Sequence, residues 1–125
     1  MSQIRIHRHQ RPAAAGRTAA AILVLTLSGL TVGADQDPRY AAVERLGALN
    51  GIALQCKYLD QVRRMKSAVV ASAPKERSFG LAFDQATNDA FLAFIRDQAA
   101  CPAHDSLERQ VGHRIDAMKA AFGAP

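Results

Sequence analysis

Residues 104–123 read HDSLERQVGHRIDAMKAAFG, and within them Leu107, Val111, Ile115, Met118 and Phe122 recur at intervals of four, four, three and four. That spacing returns each apolar side chain to one face of a 3.6-residue helix, with no period-two alternation to suggest a strand. Asp105 and Glu108 stand at the offset of a capping box, Asp replacing the usual Ser or Thr. Gly123 and Pro125 close the segment. The fold is helical from this stretch outward.

The next stretch upstream repeats the pattern. Phe79, Phe83, Ala86, Ala90 and Phe94 follow at helical intervals, with Phe91 and Ile95 alongside, up to Ala100-Cys101-Pro102. Further upstream, Asp37-Pro38 pairs a helix N-cap with a proline at the first helical position. Tyr40, Val43, Leu46 and Leu49 then mark one face. Ile52, Cys56 and Leu59 continue it beside Tyr58, Val62, Met65 and Val69. Ala73-Pro74 stops this run, because the residue before a proline avoids the α region. Asn50-Gly51 either breaks the run in two or, with Gly47, lets a neighbour approach closely; the reading favours an unbroken helix. These elements predict an all-α fold, a small antiparallel bundle of three to four helices with one disulfide.

The N-terminus carries a different signal. Residues 1–17 hold four arginines and no acid, and residues 18–34 form an apolar run ending in Val32-Gly33-Ala34. A basic region, a short apolar core and a small-residue site describe a secretory signal peptide, cleaved between Ala34 and Asp35. An uncleaved anchor is the competing reading, disfavoured because the run falls short of ~20 apolar residues. The expected organisation is therefore a signal peptide over 1–34 and a mature helical domain over 35–125.

Cleavage changes the electrostatics. The whole chain has 16 Lys+Arg against 11 Asp+Glu, a formal +5. Loss of Arg5, Arg8, Arg11 and Arg17 leaves 12 against 11, a net +1. A nearly neutral domain lacks the basic field with which nucleic-acid binding normally begins. His7 and His9 leave with the leader and make no metal site.

Both cysteines lie in the mature part. Two cysteines in a short exported chain predict one bond, Cys56–Cys101, which closes a loop of about 45 residues and stabilises by up to about 4 kcal/mol in the chain-entropy model. The bond constrains the fold. If the helices on either side of Pro74 formed an ideal hairpin, the two cysteines would end ~13 Å out of step at the helical rise, too far to bridge. The expectation is that Pro74–Gly80 is a loop or short turn, and that the bond pins the first long helix to the start of the last.

Candidate sites are few. Phe79, Phe83, Phe91 and Phe94 read either as a partner groove or as bundle core, and a chain of this size needs them for burial. Residues 57–77 carry a local +4, from Lys57, Arg63, Arg64, Lys66, Lys75 and Arg77 against Asp60 and Glu76. Residues 78–105 carry a local −3. Complementary pairing between neighbouring helices explains both, with Asp60 reaching Arg63 and Arg64 at helical spacing. The alternative is a partner-binding patch of Arg63, Arg64, Lys66, Phe79 and Phe83. His104, Asp105, Ser106 and His113 contain the letters of a hydrolase triad, but no nucleophile elbow accompanies them. No catalytic, metal or cofactor-binding residue is assigned.

In layout, two cysteines bracketing a helical stretch in a short exported chain resemble the small acid-stress chaperones of the bacterial periplasm. The resemblance assigns no residue a role. The leading expectation is a non-enzymatic periplasmic or secreted protein that binds a protein partner, without nucleic acid, cofactor or a membrane span after cleavage; an oligomer is compatible with it. A stress chaperone that exposes its Phe-bearing face, and a small exported hydrolase, are the alternatives.

Overall fold

A computed structural model describes residue 16 and residues 36–124; the leader, the Ala34–Asp35 cleavage site and the paired histidines at 7 and 9 lie outside the described residues. Among the described residues there are four helices and no strand: α1 (Pro38–Gln55), α2 (Leu59–Ser72), α3 (Arg77–Arg96) and α4 (His104–Ala121). None is long and apolar enough to cross a membrane.

The start of α1 is as the sequence implies. Pro38 takes the first turn and the Asp37 carboxylate accepts the Arg39 N–H at 2.9 Å. The long run to Ala73 does not continue unbroken, however, and it breaks at Cys56–Tyr58 rather than at Asn50-Gly51. There Lys57 enters the left-handed region at φ 59°, and the Tyr58 N–H reaches back to the Ala53 carbonyl at 2.9 Å. That six-to-one bond is a Schellman stop, built here without glycine. The end of α3 repeats it, with Gln98 at φ 50° and the Ala99 N–H on the Phe94 carbonyl at 3.1 Å.

The connection after α2 is shorter than expected. Only Ala73–Glu76 is non-helical, and Arg77 already begins α3 because Phe79 must reach the core. The capping box also fails: Ala103 is the N-cap of α4, so Asp105 lies inside the first turn and accepts the Ser106 N–H at 2.9 Å. The α4 face is as read, with Leu107, Val111, Ile115 and Met118 buried.

Helix α1 is the centre of the bundle. It packs against all three others, most extensively α3, while α2 and α4 also touch. Its buried residues accordingly run almost all round it, from Ala42 and Val43 through Leu46, Leu49 and Asn50 to Ala53. Successive rungs show how α1 meets α3. Gly47 faces Phe83 and Ala86, and Gly51 faces Thr87, Ala90 and Phe91, so the two helices run parallel. Both glycines are close-approach positions, one of the two roles the sequence left open for them.

This parallel pairing, rather than an α2–α3 hairpin, resolves the mismatch between the cysteines. Gly47 stands beside Phe83 and Ala86 and Gly51 beside Thr87 and Phe91, so the C-terminal ends of α1 and α3 lie at the same end of the bundle. Cys56 and Cys101 meet there, with Cα atoms 5.7 Å apart and an S–S bond of 2.06 Å. The bond joins the α1–α2 corner to the start of α4. Such a bond fits an oxidising compartment.

Candidate functional site

Helices α2 and α3 follow one another in the chain yet make almost no contact, because α3 packs on α1. An apolar groove lies open between them. One part, of about 260 Å³, is lined by Lys66, Val69 and Val70 from α2 and by Gly80, Phe83 and Asp84 from α3. A second part, of about 190 Å³, shares Val69, Val70 and Gly80 and extends to Ala73, Pro74 and Phe79. Val70 stands on the rim at 78% exposure, more open than any other large apolar side chain among the described residues.

Two aromatic side chains form the floor. Phe79 and Phe83 are 1% and 4% exposed, so they belong to the core and show the groove only an edge. Phe79 sits between Tyr40, at 4.5 Å between ring centroids, and Phe122, at 5.0 Å edge-on. The Arg39 guanidinium lies 5.5 Å from the Phe79 ring centre, and Asp37 holds it there at 2.6 Å. Phe91 and Phe94 do not join this core. They are half-buried, and Leu92 and Ile95 beside them are exposed, because α3 has no second helix against its outer face.

The basic cluster divides. Lys66 lines the groove, Arg63 is exposed to solvent, and Arg64 turns the other way toward α4. The Arg64 guanidinium passes close to Gly112, its Nη2 3.5 Å from where a Cβ would stand there, and its Nη1 is 3.4 Å from the Gln61 side-chain oxygen. The charge pairing expected between α2 and α3 is not formed. Lys66 and Asp84 face each other across the groove without an ion pair, and no acid of α3 bridges to α2 among the described residues.

Asp60 does not reach Arg63 or Arg64. Its carboxylate accepts from the Gln61 side-chain amide at 2.8 Å and lies 2.8 Å from the His104 Nε2. The Gln61 hydrogen bond, and after it that of His104, holds the Asp60 pKa below the ordinary carboxylate value. Tyr58 completes this corner, its hydroxyl donating to the Pro102 carbonyl at 2.7 Å and its ring meeting His104 edge-on at 5.0 Å. These contacts strap α2 to α4 beside the disulfide.

The triad letters at the start of α4 serve other ends. His104 pairs with Asp60, 44 residues away in sequence, and Asp105 pairs with Arg109 at 3.4 Å. His113 is exposed on α4. Neither part of the groove is lined by His104, Ser106 or His113. Among the described residues no group of three His, Cys, Asp or Glu side chains could hold a metal ion. A local reading of sequence could not find the Asp60–His104 pair, since nothing about either residue marks the other.

No family model, no curated protein and no solved structure matches this chain.

Proposed function

We propose that the chain is exported, loses its leader at Ala34, and acts without catalysis by binding a protein partner in the α2–α3 groove. The observation that carries this reading is the groove itself. Two consecutive helices leave an apolar channel with an aromatic floor, and Val70 on its rim has nothing to pack against. A partner helix offering one or two aliphatic side chains would cover Val69, Val70 and the edges of Phe79 and Phe83. The opposite charges of Lys66 and Asp84 on the two walls would fix its direction.

The chemistry elsewhere supports a binding role over a hydrolytic one. The Asp60–His104 pair is committed to the α2–α4 strap, with no serine or cysteine nucleophile hydrogen-bonded to it. Cys56 and Cys101 are consumed in their bond.

Site-specific photocrosslinking in the exporting cell tests the reading. A photoreactive side chain at Val70 or Asp84 is expected to give one discrete protein adduct, absent when the same group replaces Asp116 on the exposed side of α4. Equal labelling from all three positions would overturn the groove. So would an absence of adducts together with a hydrolytic turnover that His104→Ala abolishes.

A further inference from the structure

A second cavity lies on the opposite side of α1 and differs in kind. It has about 290 Å³ and is lined by Pro38, Ala42 and Arg45 from α1 and by Arg114, Ala117 and Ala121 from α4. Helices α1 and α4 are antiparallel, so the residues fall into rungs: Pro38 with Ala121, Ala42 with Ala117, Arg45 with Arg114. The channel is floored by methyl groups and has an arginine on each wall at one end.

The two arginines have no anionic partner among the described residues. Arg39, Arg96 and Arg109 each bind an aspartate, but neither Arg45 nor Arg114 makes an ion pair or a side-chain hydrogen bond. Sequence spacing explains this. Neither has an acid three or four residues away on its own helix. Glu44, beside Arg45, accepts instead from the Gln36 side chain at 2.9 Å. Asp116 is two residues from Arg114, an interval that puts the two on different faces. Two unpaired cations lining one groove offer donors that a shared anion would satisfy.

We propose that this channel binds a single-chain carboxylate, the head group held between Arg45 and Arg114 and the alkyl chain laid along Ala42, Ala117 and Ala121 toward Pro38. Guanidinium forks match a carboxylate in two-point geometry, which a lysine pair would not. The length of the groove sets the size. Arg45 to Pro38 is seven residues of α1, about 10 Å at the helical rise, the reach of an eight-carbon acid. This site is independent of the α2–α3 groove, and its failure would leave that reading untouched.

Octanoate is the probe, titrated below its micelle concentration into the disulfide-intact protein and followed by amide chemical shifts. Saturable shifts at Ala42, Arg45, Arg114 and Ala117 are expected, weakening as salt rises. Octanol tests the tail alone and acetate the head alone, and both are expected to bind at least tenfold more weakly. Arg45→Gln and Arg114→Gln should each weaken octanoate roughly tenfold, about the loss of one charge-assisted hydrogen bond. Ala117→Leu should block the channel with both charges intact, and Arg63→Gln should change nothing. Equal affinity for octanol and octanoate, an effect of R63Q as large as that of R45Q, or no saturable shift would overturn the proposal.

Discussion

A methyl group placed on Gly47 would stand 2.6 Å from the carbonyl oxygen of Phe83, so α1 and α3 meet backbone to backbone. At Gly51 the added carbon would meet the Thr87 carbonyl oxygen, with the Phe91 nitrogen at 2.7 Å and the Ala90 Cβ at 2.9 Å. Backbone atoms cannot step aside as a flexible side chain would. Gly80 and Gly112 are different, with nothing within 4 Å of the first and only the Arg64 guanidinium, at 3.5 Å, near the second.

Four alanine substitutions should therefore divide by sign. Gly47→Ala and Gly51→Ala must push α3 away and should each cost about 1–3 kcal/mol. Gly80→Ala and Gly112→Ala gain helix propensity without a clash and should each stabilise by roughly 0.5–1 kcal/mol. Urea melts of the oxidised protein measure all four. A stabilising Gly51→Ala would show that the two helices are not in close contact.

These glycines also show how far the sequence could be read. Helix α4 was legible because its apolar period is unbroken and one buried face suffices for a helix on the outside of a bundle. Periodicity also grouped Phe79, Phe83 and Phe94 on one face of α3, but it carries no information about what covers that face along its length. Only α1 does, and its close contacts reach no further than Phe91. The break after Cys56 was hidden because its left-handed residue is Lys57, whereas the visible glycine, Gly51, serves packing. The topology had a faint mark. Gly47 and Gly51 repeat at an interval of four, as do Ala86 and Ala90, and the two pairs face each other. The groove followed from that topology and was illegible without it, although Lys66, Phe79 and Phe83 could be picked out individually.

Lys57 and Gln98 occupy equivalent cap positions, each a side-chain-bearing residue at positive φ where glycine is the usual choice. The left-handed conformation costs an L-residue on the order of 1 kcal/mol, partly offset in any glycine variant by the freedom of its unfolded chain. Lys57→Gly and Gln98→Gly should each raise stability by about 0.5–1 kcal/mol, read as an upward shift in denaturation midpoint at constant slope. A loss at either position would mean that the side chain contributes a contact larger than the strain.

Acid should weaken the fold through its surface carboxylates. Asp37 is held below the ordinary carboxylate value by the Arg39 guanidinium, Asp60 by Gln61 and then His104, Asp97 by Arg96, and Asp105 by Arg109 and the Ser106 N–H. Each is more easily protonated in the unfolded chain than in the fold. Its stabilisation is complete above about 3.8 and is lost as pH falls through the lowered value of the folded state. The Tm should therefore decline mainly below pH 4, and Asp37→Asn or Asp60→Asn should flatten that decline while lowering Tm at pH 7. A dye that reports exposed apolar surface should keep its native-state signal until the melt itself, since Tyr40 and Phe122 still close in Phe79 once the Asp37–Arg39 pair is lost. A rise in dye binding ahead of the melt would favour the acid-opening chaperone reading instead.

Asn50 carries the sharpest test of the α1–α3 contact. It is 1% exposed, and its amide nitrogen donates to the Thr87 hydroxyl at 3.2 Å, which donates in turn to the Gly47 carbonyl at 3.1 Å. The Asn50 Oδ1 is buried without a partner. An unmet buried acceptor carries a desolvation cost of about 1–3 kcal/mol, so Asn50 lowers stability in exchange for a directional link between the helices. Asn50→Leu keeps a similar shape, removes the unmet oxygen, and should be neutral or stabilising. Thr87→Val removes the amide's acceptor and should destabilise by about 1–2 kcal/mol in the native background. In the N50L background the same change has less to break, because only the second bond to the Gly47 carbonyl is lost. The double-mutant cycle should therefore show a coupling above about 0.5 kcal/mol, well beyond simple additivity. Additive single effects would mean that Asn50 and Thr87 act separately and that the close approach at Gly47 and Gly51 alone sets the register of α1 on α3.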